Sequence, residues 1–220
     1  MTPIKIDDKI KKYCPNIKLG CIECDVKIQF ENKALWEEID QVTRNIYSGL
    51  RLEHISKHSV IQHSRKAYKT FGKDPARYRL SAEALLRRIV KGDSLYRINN
   101  VVDVVNLVSL STGYSIGGYD ADKIIGSIEF GVGGREPYRG IGRGELNIEF
   151  LPVFRDEEGP FGSPTSDSER TSVTSETHRF LMIIIDFYGD EELEVAMQAS
   201  INLLQKFCFA EKIEVRMAEV

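Results

Sequence analysis

Residues 78–120 read YRLSAEALLRRIVKGDSLYRINNVVDVVNLVSLSTGYSIGGYD, and three changes of pattern follow one another within them. Leu85, Leu86 and Ile89 form a buried helical stripe, Ser81 stands where an N-cap belongs, Glu83 falls in the first turn, and Gly92 supplies the stop. Arg87, Arg88 and Lys91 then point outward. Residues 100–111 are so rich in Val and Leu that propensity alone would allow a buried strand. Asp103, Asn106 and Ser109, however, recur every third residue as a thin polar stripe, and that period predicts a second helix. A glycine turn at Gly117-Gly118 leads onward into Tyr119-Asp120-Ala121-Asp122-Lys123.

Outward from this stretch the elements alternate. Upstream, Cys24 to Phe30 places apolar residues at every second position and predicts a half-buried strand. Leu35, Ile39, Val42, Ile46 and Tyr47 predict a helix over 33–48 with those residues on one face, and a further helix is expected over 54–70 before Gly72 and Pro75 break it. Downstream, Ile125 to Phe130 and Glu145 to Leu151 read as strands on either side of glycine-rich hairpin sequence. Phe180 to Phe187 is apolar on both faces, which predicts a central strand. Asp190 is placed to cap a last helix that turns Met197, Ile201, Leu204 and Cys208 inward, ahead of a closing strand at Ile213–Met217. The class is α+β, with helices packed on a sheet-rich core.

With 220 residues, 42% of them hydrophobic and 29% charged, the chain has the size of one large domain. No run of about 18 apolar residues is present and the first residues have no basic-then-apolar start, so a soluble, cytoplasmic protein without membrane association is expected. The net charge of −3 conceals an asymmetry. Residues 51–100 carry 12 Lys+Arg against 4 Asp+Glu, while the other 170 residues carry 18 against 29. That segment is either a solvated helical face or a surface for a polyanion.

Several motifs bear on chemistry. Cys21 and Cys24 have the spacing of a zinc knuckle or redox pair, but no second pair lies nearby, and four cysteines in all read as thiols of the core or surface. His54 and His58, one turn apart on the expected helix, lack the intervening Glu of zinc peptidases. Gly113-Tyr114-Ser115-Ile116-Gly117 matches the serine-hydrolase elbow formally, yet that elbow joins a strand to a helix and the order expected here is the reverse. Between 163 and 177, nine of fifteen residues are Ser or Thr, which indicates a loop, mobile by composition or lining a polar pocket.

The order of elements, together with VVDVVN at 101–106 and GGYDADK at 117–123, resembles the B3/B4 editing domain of the phenylalanyl-tRNA synthetase beta subunit. The resemblance covers about Arg79 to Gly189. It implies a layered α+β fold on a mostly antiparallel, sandwich-like core, with residues 1–75 as an N-terminal extension and 190–220 as a C-terminal helix and strand packed on it in a single free-standing domain. In that family the domain hydrolyses tyrosine wrongly attached to phenylalanine tRNA without metal or cofactor. The resemblance therefore implies tRNA or aminoacyl-tRNA and an amino acid as partners, no metal and no cofactor. Glu169 matches the family's reader of the tyrosine hydroxyl, which discriminates because its polar partner goes unpaired with phenylalanine. Asn106 matches the Asn that would orient water or the ester carbonyl. Val105 stands where the family has Thr, and Gly117, beside Gly118, where it has His. Arg77, Arg79, Arg87, Arg88, Lys91 and Arg97 are the basic side chains for tRNA phosphates. Two functions follow: a trans-editing hydrolase of mischarged aminoacyl-tRNA, or a non-catalytic RNA- or amino-acid-binding module that has lost the editing chemistry. The oligomeric state is left open.

Overall fold

The computed structural model describes residues 1–219. In chain order they form β1 (Ile4–Ile6), α1 (Asp8–Tyr13), β2 (Lys18–Asp25), α2 (Lys33–Gly49), α3 (Leu52–Ile55), α4 (Ser59–Thr70), α5 (Ser81–Val90), α6 (Asn100–Thr112), β3 (Ser115–Asp120) and a short 3-10 turn at Ala121–Lys123. There follow β4 (Ile128–Val132), β5 (Arg139–Gly140), β6 (Gly144–Glu145), β7 (Pro152–Arg155), β8 (Pro160–Gly162), β9 (Arg179–Asp186), α7 (Glu192–Cys208) and β10 (Glu211–Glu219). One antiparallel sheet has the order β10-β2-β9-β3; a second, β1-β4-β7-β8, is mixed because β1 runs parallel to β4. The architecture is α+β, as expected.

Strands β2, β9 and β3 of the first sheet are buried on both faces, and this sorts their residues into two cores. Leu19 and Cys21 of β2, Tyr119 of β3 and Leu181, Ile183 and Ile185 of β9 face the second sheet, where they meet Phe130, Phe154 and Phe161. Ile22, Cys24, Phe180, Met182 and Ile184 face the helices, against Leu35, Ile39, Val104, Leu107 and Leu204. Gly20 lets α7 close in: a Cβ there would lie 2.6 Å from Met197 Sδ. No helix among the described residues is long and apolar enough to cross a membrane.

Most expected elements are present, and the exceptions have physical causes. The upstream strand is β2, ahead of Cys24–Phe30, and its two-sided burial removes the alternation that would have marked it. Val26 and Lys27 have already left the sheet and donate to the carbonyls of His178 and Cys208. The helix over 54–70 is two helices, α3 and α4, so His54 and His58 share no helical face. Glu145–Leu151 is not a strand; Phe150 there has φ of 67°. Ser81 is the first helical residue rather than the cap, and its N–H donates to the Pro164 carbonyl. Glu191 holds the cap position of α7, and the Asp190 carboxylate lies 3.5 Å from His63 Nδ1 instead. Tyr47 is exposed while the rest of its α2 stripe packs inward.

Cys21 and Cys24, three apart on a strand, point to opposite faces and into different cores, so they share no ligand. Burial pushes both thiols up to about 12. Ser115 lies on β3 after a helix, not on a strand-to-helix elbow.

The helical layer is keyed by α6. Asn99 caps it by accepting from the Val102 N–H at 2.9 Å, and the left-handed Gly113 closes it. Asn100 donates to the carbonyls of Lys27 and Phe207 and accepts from the Gln29 N–H, tying three segments together. The buried Asp103 accepts from Trp36 Nε1 at 2.8 Å and the Ile98 N–H at 3.2 Å. Replacing Asp103 by Ala leaves that indole N–H unpaired; the expected loss is about 1–3 kcal/mol, read as a lower midpoint in urea denaturation.

Candidate functional site

Strand β3 is the edge of its sheet, and what covers that edge forms the site. Tyr119 folds back along its own strand, so that a Cβ on Gly117 would overlap its hydroxyl; a Cβ on Gly162 of β8, in the facing sheet, would do the same. The two glycines make a slot from opposite sheets, and the buried Tyr119 ring fills it edge-on against Phe161, centroids 4.9 Å apart. Its hydroxyl donates to Asp167 Oδ1 at 2.8 Å. Asp167 Oδ2 receives a longer contact, 3.4 Å, from the Gly118 N–H. The Asp167 carbonyl accepts from Ile141 in the β5–β6 hairpin, and Thr171 O takes the Asp120 N–H. Burial lifts the Asp167 carboxyl to about 7, the Tyr119 and Gly118 donors offsetting part of that rise, and pushes the Tyr119 phenol well up.

Around this bond the hydroxyl-rich segment is spent internally. Thr165 meets Tyr68 Oη at 2.8 Å, Thr177 donates to Asp120 at 2.8 Å, and Ser163 donates to the Ser166 carbonyl at 2.9 Å. Thr165, Thr171 and Thr177 are all buried. Composition predicts a loop and the loop is there, but most of its hydroxyls form structure; that of Thr171 is buried without a partner among the described residues.

The expected site residues divide into two groups. Val105 packs on Gly118, its Cγ2 3.2 Å from where a Cβ would stand, so Val105, Gly117 and Gly118 gather beside Asp167. Asn106 follows Val105 on α6 and is half-buried. Every other polar side chain from Asn99 to Thr112 has a hydrogen bond; that of Asn106 has none among the described residues. Glu169 turns away from this group. Its side chain is 47% exposed and holds Arg139 Nε at 3.0 Å. Arg139 lines a neighbouring open cleft of about 910 Å³, together with Arg135, Tyr138, Glu145, Ser168 and Arg170. Asp167 is a site residue that no motif marks in the sequence; the available signal is that it is the one Asp among the Ser and Thr of that loop.

The basic segment has its own organising centre. Glu83, 1% exposed in α5, receives Arg65 Nη1 at 2.7 Å and Arg87 Nε at 2.9 Å, with Arg79 Nε at 3.8 Å. Three guanidinium groups on one carboxylate leave a local excess of positive charge. Arg88 bonds the Ser94 carbonyl and stacks on Tyr96, Arg97 lies over Trp36 and Arg77 near Tyr78, while Lys91 is exposed. Lys73 is unavailable to a ligand: its buried ammonium donates to the carbonyls of Asn147 and Glu149.

A family model described as the B3/4 domain matches residues 63–208, a span that contains both the arginine cluster and the Tyr119–Asp167 site. The chain belongs to the B3/4 domain family. Among solved structures, it is similar to an N-terminal fragment of the phenylalanyl-tRNA synthetase beta-subunit from Pyrococcus horikoshii, at 15% identity and a TM-score of 0.47. That likeness covers 98% of this chain, which spans 50% of the fragment's length. No curated protein matches.

Two outcomes are expected in this B3/4 domain. Gly117→Ala displaces Tyr119 from its slot and costs several kcal/mol, on the order of 3, in chemical denaturation. Asp167 has a native pKa above its unfolded value, so it favours folding when protonated and this contribution is lost as pH rises through about 7. Asp167→Asn is therefore expected to gain on wild type by at least about 1 kcal/mol between pH 4 and pH 8. Denaturation midpoints at the two pH values check this.

Proposed function

We propose that this B3/4 domain binds aminoacyl-tRNA, with the tRNA phosphates held at the arginine cluster on Glu83. The observation that carries the reading is the economy of that cluster. Arg87 spends only Nε on the carboxylate, Arg65 only Nη1 on Glu83 and Pro75, and Arg79 makes no hydrogen bond among the described residues. The remaining N–H donors have no partner among the described residues and stand beside a buried anchor, an arrangement from which phosphate oxygens can accept. Arg77, Arg88, Lys91 and Arg97 extend the positive surface beyond it. Membership in the B3/4 family, and the resemblance to the synthetase beta subunit, make tRNA the RNA of choice.

The geometry favours binding over inherited editing. Where the editing domains have His, this chain has Gly117, and the space a side chain would need is occupied by Tyr119. Glu169, the expected reader of the amino-acid side chain, is engaged by Arg139. Val105 replaces the hydroxyl of a Thr with a methyl group.

One observation supports a second reading, in which ester hydrolysis survives. Asn106, which follows Val105 on α6, has a carboxamide with no hydrogen bond among the described residues, and burial raises the Asp167 carboxyl to about 7, in the range useful for proton transfer. Asn106 would then orient the ester carbonyl or the attacking water, while Val105 and Gly118 bound the amino acid.

Filter binding and deacylation with a panel of aminoacyl-tRNAs, beginning with tyrosyl-tRNA for phenylalanine, test both. Arg65→Ala and Arg79→Ala are each expected to weaken tRNA binding and to lower the salt dependence by about one counterion. Retained binding without turnover supports the binding module. Turnover lost in both Asn106→Ala and Asp167→Asn supports the hydrolase, and unchanged tRNA affinity in the arginine variants overturns the proposed phosphate surface.

A further inference from the structure

Strand β10 ends its sheet with an open side. It hydrogen-bonds to β2 alone, so from Glu211 to Glu219 the outer row of backbone N–H and C=O groups has no strand partner among the described residues. Exposed edges are ordinarily blunted by bulges, charges or short length. Here a bulge lies between Glu211 and Glu214, with Lys212 at φ of 49°, and beyond it the strand runs regularly to Glu219. Val215, at the middle of that open stretch, is 52% exposed.

The sequence of this edge is complementary to itself. On the face toward the second sheet stand Glu214, Arg216 and Ala218; on the face toward the helices stand Ile213, Val215 and Met217, of which Ile213 and Met217 pack partly on the helical core. An antiparallel pairing of two copies about a two-fold axis through Val215 keeps each side chain on its own face. It sets Glu214 opposite Arg216 of the second copy, twice over, with Val215 against itself; Lys212 and Ile213 lie in the bulge, and Glu211 and Glu219 face each other only at the two ends, beyond it. Directly opposite residues in such a pair approach closely enough for ion pairs and apolar contacts. Moving the axis to Arg216 puts arginine against arginine, and moving it to Glu214 puts glutamate against glutamate. An axis at Met217 pairs no opposite charges.

We propose that β10 is a homodimerisation edge at which two copies join, two-fold about Val215, into one eight-stranded antiparallel sheet, with reciprocal Glu214–Arg216 pairs fixing the register. Glu214 also holds the Met1 ammonium, so in the dimer it sits between two positive groups and remains compensated. The proposal does not depend on the RNA-binding reading: β10 lies outside the arginine cluster and the Tyr119–Asp167 site.

Sedimentation equilibrium of the full chain tests it. Wild type is expected to associate reversibly to a dimer. Glu214→Arg and Arg216→Glu, each separately, place like charges across the axis and should weaken self-association about tenfold or more. Mixing the two variants recreates two opposite-charge pairs, so a heterodimer should form from chains that are monomeric alone. Circular dichroism confirms that each variant is folded, and Val215→Pro, which disturbs the same edge without changing charge, serves if either is not. A monomeric wild type, single variants that dimerise like wild type, or a Val215→Pro chain that dimerises like wild type overturns the proposal. So does a mixture of folded variants that stays monomeric.

Discussion

The hydrogen bond from Tyr119 to Asp167 holds together parts of the molecule that nothing else joins so directly. One strand, β3, presents the tyrosine; a second sheet supplies Gly162 to make room for it; the loop after β8 brings the carboxyl; and the same Asp167 residue anchors the β5–β6 hairpin through its carbonyl. A buried phenol must find a partner, and a buried carboxyl is costly without donors, so each group makes the other tolerable. The sheet edge is closed as a consequence. Gly118 and Asp120 would otherwise expose their N–H groups there, and both are taken by the loop.

That closure also fixes what position 117 can hold. A side chain at position 117 and the present Tyr119 position exclude each other, so the glycine and the Tyr–Asp pair are two sides of one packing solution. The polar residues of α6 have mostly been absorbed into structure as well. Asn99 caps, Asn100 ties three segments, Asp103 holds Trp36, and Ser109 donates to the Tyr114 carbonyl. Among the described residues, Asn106 is the polar side chain of α6 that makes no hydrogen bond.

Electrostatics follow a similar logic in the basic segment. Twelve Lys and Arg within fifty residues would repel one another if simply displayed on helices. Burying Glu83 between α4 and α5 converts three of them into an ordered group and joins the two helices. A buried carboxylate with three guanidinium partners is compensated, whereas its removal would leave like charges facing each other. Lys73 is withdrawn altogether by two carbonyls, and Arg88 and Arg97 are steadied on aromatic rings.

Local pattern in the sequence determined the α+β class, the helices α2, α5 and α6, the central position of β9, and the basic character of residues 51–100, because periodicity and net charge are properties of neighbours along the chain. It also led to the resemblance, through VVDVVN and GGYDADK. Only the tertiary structure decided which polar groups were free. Asn106 and Asp103 look alike in a stripe, and Glu169 and Asp167 look alike in a loop; which of them meets Trp36, Arg139 or Tyr119 depends on elements tens of residues away. The same holds for β2, whose alternation vanished because both its faces are covered, and for Ser81, whose N–H found a carbonyl beyond its own helix. Burial and long-range hydrogen bonding are set by the packing of layers, and no local pattern encodes them.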